Sequence, residues 1–269
     1  MSKSKATDLF RSWRCMALVS NCDFSGSSDY SFHLSEDKAD HMVLAERLAH
    51  QTGFPVAVPN YRLTPREQTK NNVLQHPSHA EDILHFLEFL GTWNGPLNCG
   101  RACDKQRLFL MGHSCGAHIL SCILLDSSAV IPSLTPSITL LDAVKGIVLS
   151  EGIFDLDLLN AHFPDYLGWF IAPAFGKLDS YAAFTVTRYP MRSRRHECNW
   201  LLIHSSGDTL VDLAQSEQML RHLRTKGPSD GQIILDTSFT QGHDDILSSE
   251  NFVDAVMKFI QTVLEKESG

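Results

Sequence analysis

The sequence has no apolar run long enough to span a bilayer, no Cys-x-x-C pair and no Asn-x-Ser/Thr acceptor. These absences argue against a transmembrane helix, a paired-cysteine metal or dithiol motif, and an N-linked glycan. Basic residues are in the minority, 23 Lys and Arg against 31 Asp and Glu, for a net charge of -8 and a pI of about 5.9. With no basic stripe to recruit phosphates, neither a nucleic acid nor an anionic membrane is the expected partner. Met1 to Arg14 mixes Asp8, Arg11 and Arg14 among its apolar residues, so no signal-peptide core is expected there. Seven cysteines cannot all pair within one chain, and their spacing fits a reduced, cytoplasmic setting. Internal repeats and low-complexity blocks are also absent.

What is present is an ordinary globular composition, 43% apolar over 269 residues, which predicts one domain over 1–269. Short runs rich in β-branched and aliphatic residues recur at Cys15 to Asn21, Phe54 to Asn60, Arg107 to Gly112, Val144 to Ser150, Asn199 to Ser205 and Gln232 to Asp236. These read as buried strands. Between them lie apolar residues at three- and four-residue steps: Val43, Leu44 and Leu48 after Asp40, then Ile83, Phe86, Leu87 and Leu90 after Ser78. The same spacing returns over Ala117 to Leu125, Leu213 to Leu223 and Phe252 to Leu264. Alternating strand and helix predict an α/β fold, a mostly parallel sheet of about six to eight strands with helices on both faces. The alternation breaks over 152–190, where Phe154, Phe163, Tyr166, Trp169, Phe170, Phe175, Tyr181 and Phe184 crowd together, predicting a helical, aromatic insertion above the sheet.

The sharpest motif is Gly112-His113-Ser114-Cys115-Gly116, directly after one expected strand and before a helix-compatible stretch. A tight strand-to-helix turn leaves no room for side chains two residues either side of its centre, so glycines flank a serine whose hydroxyl is presented outward. The following helix aims its free N–H groups and positive dipole end at that serine, and the Cys115 N–H becomes a candidate oxyanion donor. A neutral hydroxyl needs a base within reach, and that base needs an orienting carboxylate. After the strand at Asn199 comes Ser206-Gly207-Asp208, and after the strand at Gln232 comes Gly242-His243-Asp244-Asp245. Both loops fall at carboxyl ends of strands, where parallel sheets build their sites, and the order Ser114, Asp208, His243 is that of an α/β-hydrolase. Asp212, Asp244 and Asp245 remain alternatives for the acid. His113, His118 and His204 lie on or beside buried elements without a metal-ligand pattern and are assigned to packing. Cys115 and Cys122 are likewise expected inside, and no metal is expected.

At these residues the chain resembles the kynurenine formamidase family of α/β-hydrolases, particularly its fungal type. The likeness is carried by Asn60-Tyr61-Arg62-Leu63-Thr64-Pro65, His76-Pro77 with Asp82, the Ser114 motif, Glu151-Gly152-Ile153-Phe154-Asp155-Leu156, Phe163-Pro164-Asp165-Tyr166, Asp208 and Gly242-His243. The first and third of these are shared with many esterases similar to hormone-sensitive lipase, so 152–166 is the discriminating stretch. Where the family has His-Gly-Gly after its first strand, this chain has Ser20-Asn21-Cys22, followed by Asp23-Phe24.

The resemblance implies a cofactor-free hydrolysis of N-formylkynurenine to kynurenine and formate, part of tryptophan breakdown. Asn21 or Cys22 N–H would join Cys115 N–H at the oxyanion, and Phe24, His113, Phe154, Tyr166 and Phe170 would line the substrate site. A small molecule is then the expected partner, with the protein a monomer or homodimer. Two rivals are a carboxylesterase using the same triad on short acyl esters, and a catalytically silent hydrolase-like binding protein.

Overall fold

The computed structural model describes residues 14–19, 38–65, 68–93, 104–192, 198–226 and 233–268. In chain order the elements are β1 (Arg14–Val19), α1 (Met42–Thr52), β2 (Val56–Ala57), α2 (Ser78–Thr92), β3 (Asp104–His113), α3 (Cys115–Leu124), α4 (Ile138–Ala143), β4 (Val144–Ser150), α5 (Leu156–His162), α6 (Ala172–Phe175), β5 (Asn199–Ile203), α7 (Leu213–Lys226), β6 (Ile233–Asp236) and α8 (Glu250–Ser268). The six strands form one sheet in the order β2-β1-β3-β4-β5-β6, every neighbouring pair parallel. All six expected strands are present. β2 is shorter than the run from Phe54 to Asn60, for a local reason: it lies at the sheet edge between Pro55 and Pro59, which have no N–H to extend a ladder.

The two faces of the sheet carry separate apolar layers, because successive side chains of a strand alternate in direction. Leu108 and Leu110 of β3 join a cluster with Ile83 and Leu87 of α2, Leu120 and Leu124 of α3, and Met219 and Leu223 of α7. Phe109 and Met111 join the opposite cluster with Leu44 and Leu48 of α1 and Phe252, Val256 and Phe259 of α8. Gly146 of β4 permits this second contact, since a Cβ there would lie 2.8 Å from the Phe109 ring and 2.9 Å from Phe259. Val43, expected on the inner face of α1, is exposed, and the buried stripe runs instead through Leu44, Ala45 and Leu48.

The segment after β4 is helical as expected: α5, a π-helical turn at Leu167–Ile171, α6, and two 3-10 turns at Ala182–Phe184 and Val186–Arg188. Asp155 caps α5 by accepting the Leu158 N–H at 3.0 Å. The buried Gln215 of α7 fastens the entry to this segment: its Oε1 accepts the N–H groups of Phe154 and Asp155, both at 2.8 Å, while its Nε2 donates to Asp155 O. A third apolar cluster, with Ile153, Leu156, Leu159, Tyr166, Ile171, Tyr181 and Val211, holds the insertion together. Among the described residues no helix is long and apolar enough to cross a membrane.

Candidate active site

The carboxyl ends of β3, β4, β5 and β6 place Ser114, Glu151, Asp208 and His243 in one neighbourhood. Ser114 stands between β3 and α3 with φ 53° and ψ -119°, a conformation that side-chain-bearing residues rarely adopt. Its N–H donates to Ser150 O at 2.8 Å, and its carbonyl accepts the N–H of Ala117, which pins the turn. A Cβ on Gly112 would lie 2.6 Å from Gly116 O, so the first glycine of the motif is needed for the chain to fold back this closely. Ser114 is fully buried and its Oγ has no hydrogen-bond partner among the described residues. The hydroxyl therefore sits at the floor of the site rather than on an open surface.

Asp208 is held by its own loop: Oδ1 accepts the N–H groups of Leu210 at 2.8 Å and Val211 at 3.0 Å. Oδ2 lies 2.7 Å from Nδ1 of the buried His243. Burial opposes ionisation of Asp208, but the hydrogen bond and charge of His243 outweigh it and hold the carboxyl well below the usual range. Gly207 brings the two loops together, because a Cβ there would lie 2.2 Å from Thr240 O. Of the alternative acids, Asp212 is bonded to His162 Nδ1, and Asp244 lies 3.5 Å from His113 Nε2. Asp245 has an oxygen 3.0 Å from where a Gly242 Cβ would stand.

His113 forms a second array beside the first. It is buried, with Nδ1 3.3 Å from Ser150 Oγ and Nε2 3.5 Å from Asp244 Oδ1, and its ring centroid is 4.8 Å from that of His243. Like Ser114, Asp208 and His243, it is not among the residues that line the cavity beside Cys115.

A cavity of about 100 Å³ opens beside Cys115 and is lined by Tyr61, His76, His79, His118, Ile153, Phe170 and neighbours. Its roof is tied down where Gln68 Nε2 and Gln75 Nε2 both donate to Pro173 O and His76 N–H donates to Ala174 O. Burial lowers the pKa of His76, and pushes His79 and His118 down to about 4, so all three rings are neutral at pH 7. His118 Nδ1 faces Ile153 O at 3.2 Å; a carbonyl only accepts, so this nitrogen carries the proton and Nε2 keeps a lone pair. That Nε2 and the Nε2 of His76 are buried without a hydrogen-bond partner among the described residues.

Several expected lining residues stand elsewhere. Phe170 is in the cavity wall, but Phe154 is fully buried in the main core with its ring against Gly152, where a Cβ would lie 2.2 Å away. Tyr166 belongs to the insertion's own cluster and donates its hydroxyl to Leu210 O. Asn21, Cys22 and Phe24 lie outside the described residues. The sequence reading named His76 only within the family likeness and assigned His118 to packing; a histidine one helical turn after the nucleophile motif, on the same helix, was the available signal. Cys115 is disulfide-bonded, whereas Cys122 is a buried thiol. This departs from the reduced state that the cysteine spacing suggests and removes the Cys115 thiol as a nucleophile. His76, His118 and Cys122 have ligand atoms within 4.8 Å of one another, yet burial pushes the Cys122 thiol far up, which opposes the thiolate a metal would need.

The fold is that of α/β-hydrolases. A family model described as alpha/beta hydrolase fold matches residues 32–159. Esterase B from Lactobacillus rhamnosis superposes with a TM-score of 0.69 at 15% identity, over 96% of this chain and 78% of that one. The chain therefore has the α/β-hydrolase fold. In sequence it is similar to the kynurenine formamidase of Meyerozyma guilliermondii, 29% identical over 170 residues, or 62% of this chain and 58% of that protein. It is also similar to a probable isoprenylcysteine alpha-carbonyl methylesterase of Oryza sativa subsp. japonica, 32% identical over 130 residues, or 47% of this chain and 28% of that protein. The chain spans less than two thirds of the length of either curated relative.

Proposed function

We propose that the protein is a serine hydrolase that removes a short acyl group from a small ester or amide. The observation that carries this reading is the 2.7 Å contact between Asp208 Oδ2 and His243 Nδ1, next to a strained serine turn at the head of α3. An ionised Asp208 accepts the Nδ1 proton, which leaves the Nε2 lone pair of His243 to act as base. Ser114 Oγ attacks the substrate carbonyl while His243 takes its proton, and Cys115 N–H, with an Asn21 or Cys22 N–H, binds the resulting oxyanion. Collapse expels the leaving group, protonated by His243, and leaves an acyl-Ser114 ester. Water, deprotonated by His243, then hydrolyses that ester.

The cavity reaches the proposed nucleophile only through its neighbour Cys115, and its size suits a small substrate group. Its volume of about 100 Å³ is below the roughly 150 Å³ of an engineered cavity that admits benzene. A carboxylester is the reading supported by the structural relatives. A second reading, hydrolysis of the formamide of N-formylkynurenine, is supported by the Meyerozyma relative and by the partnerless acceptor on His118, which suits a substrate bearing an N–H donor. The test is to compare turnover of a short-chain aryl ester and of N-formylkynurenine, each against Ser114→Ala, with a fluorophosphonate probe on Ser114. Ester turnover alone retains the triad and discards the formamide. Absence of both turnover and labelling leaves a silent binding protein.

A further inference from the structure

Glu151 has no part in the chemistry above, yet it is one of only two non-glycine residues with positive φ among the described residues, the other being Ser114. Backbone strain of this kind persists where the surroundings impose it, and here both instances border one site. Glu151 follows the last residue of β4, is fully buried, and donates its N–H to Ile203 O at 3.0 Å. Its Oε1 accepts the Ser205 N–H at 2.8 Å. Among the described residues no donor bonds its buried Oε2: His204 Nδ1 is 3.4 Å away and is engaged by Ser216 Oγ at 2.9 Å. Asp208 and His243 each have a ligand atom within 4.8 Å of this carboxyl. Two carboxyls packed together out of water cannot both ionise, and an Oε2 without a donor is satisfied only if it carries a proton and gives it to an acceptor.

We infer that Glu151 is a positioning residue, protonated at neutral pH, that donates a hydrogen bond to the Asp208 carboxylate and fixes it against His243. The inference rests on the serine-hydrolase reading for its catalytic meaning, but not for the protonation state. The groups facing Glu151 are Asp208 and His204 from β5 and its loop, and His243 and Asp244 from the loop after β6, with His113 of β3 behind Asp244. Burial above all, then the hydrogen bond and charge of Asp208, push the Glu151 carboxyl up to about 10, against a smaller opposing pull from the Ser205 N–H.

Two variants separate this role from simple packing. In Glu151→Gln the amide can donate to Asp208 while its oxygen accepts from Ser205; Glu151→Leu can do neither. We expect Glu151→Leu to lower kcat by about 10- to 100-fold, the rate equivalent of one hydrogen bond to a charged group, with Glu151→Gln restoring most of it. Wild-type kcat/KM should fall on the alkaline side as Glu151 ionises, and Glu151→Gln should lack that limb.

An activity-independent measurement accompanies these. An acid whose folded pKa is raised contributes stability that is complete below its unfolded pKa and is lost as pH rises toward the folded one. The Tm of Glu151→Gln relative to wild type should therefore climb steadily between about pH 5 and pH 9. A Tm difference that does not change with pH would overturn the inference, as would equal alkaline limbs or equal kcat in the Leu and Gln variants. If neither protein turns over substrate but the Tm difference climbs, the hydrolase reading fails while the protonated Glu151 stands.

Discussion

The proposed triad of Ser114, Asp208 and His243 lies beside Ser150, His113 and Asp244 at the carboxyl end of this sheet, and the two groups differ in backbone strain and in how the acid is held. In one, Ser114 occupies a strained turn at a helix N-terminus, and Asp208 is anchored by two backbone N–H groups before it reaches His243 at 2.7 Å. In the other, Ser150 ends β4 in ordinary strand pairing, and His113 is 3.3 Å from Ser150 and 3.5 Å from a partly exposed Asp244. Residue type and proximity are thus insufficient. A nucleophile needs a helix end that binds the oxyanion, and a base needs an acid that cannot swing away.

The largest effect that could break this comparison is at the serines. Ser114→Ala should lower kcat by about 10⁶-fold, the scale seen when a triad serine is removed. Ester hydrolysis by the purified variant reads this directly, and near-normal turnover would transfer the role to another residue. Asp208→Asn should be the next largest, about 10⁴-fold, because an amide favours the wrong His243 tautomer while preserving shape. Asp244→Asn is the matched control and should leave kcat within a few-fold, as expected for a partly exposed ion pair worth about 1 kcal/mol or less.

Asp208 also sets an acid dependence. Its folded pKa is depressed below the unfolded value, so its contribution is present above about pH 4 and is lost as pH falls through the folded pKa. Wild-type Tm should decline more steeply than that of Asp208→Asn as pH is lowered from about 5 to 2. Parallel curves would mean that Asp208 is no more stabilised as an anion in the folded protein than in the unfolded chain.

The same contrast explains how much was legible in the sequence. Apolar runs such as Val144 to Ser150 report burial on both faces, which only a parallel sheet under two helical layers provides, so strand positions could be read directly. The turn at Ser114 was legible because its glycines answer to local crowding. Glu151 was harder: the signal, an acid directly after an apolar strand, says that the carboxyl lies at a site edge but not which loop it meets. Phe154 packs in the core, and aromatic density marks a packed segment without saying which rings face inward. His76 and His118 converge because the segment leading into α2 packs beside α3, their ring centroids 5.8 Å apart, a contact that periodicity does not encode.

The smallest effect tests the second set most closely. Ser150 Oγ has the His113 ring as its side-chain contact at 3.3 Å, and Ser150 itself is fully buried. If the second set is structural, Ser150→Ala removes one long hydrogen bond and costs about 1 kcal/mol of stability, within the usual range for a single buried bond. Turnover should change little, since the backbone carbonyl of Ser150, which accepts the Ser114 N–H, is retained. A loss of fluorophosphonate labelling in Ser150→Ala at unchanged Tm would instead mean that His113 relays its position through the 4.8 Å ring contact to His243. The two sets would then be one network rather than a working site and its neighbour.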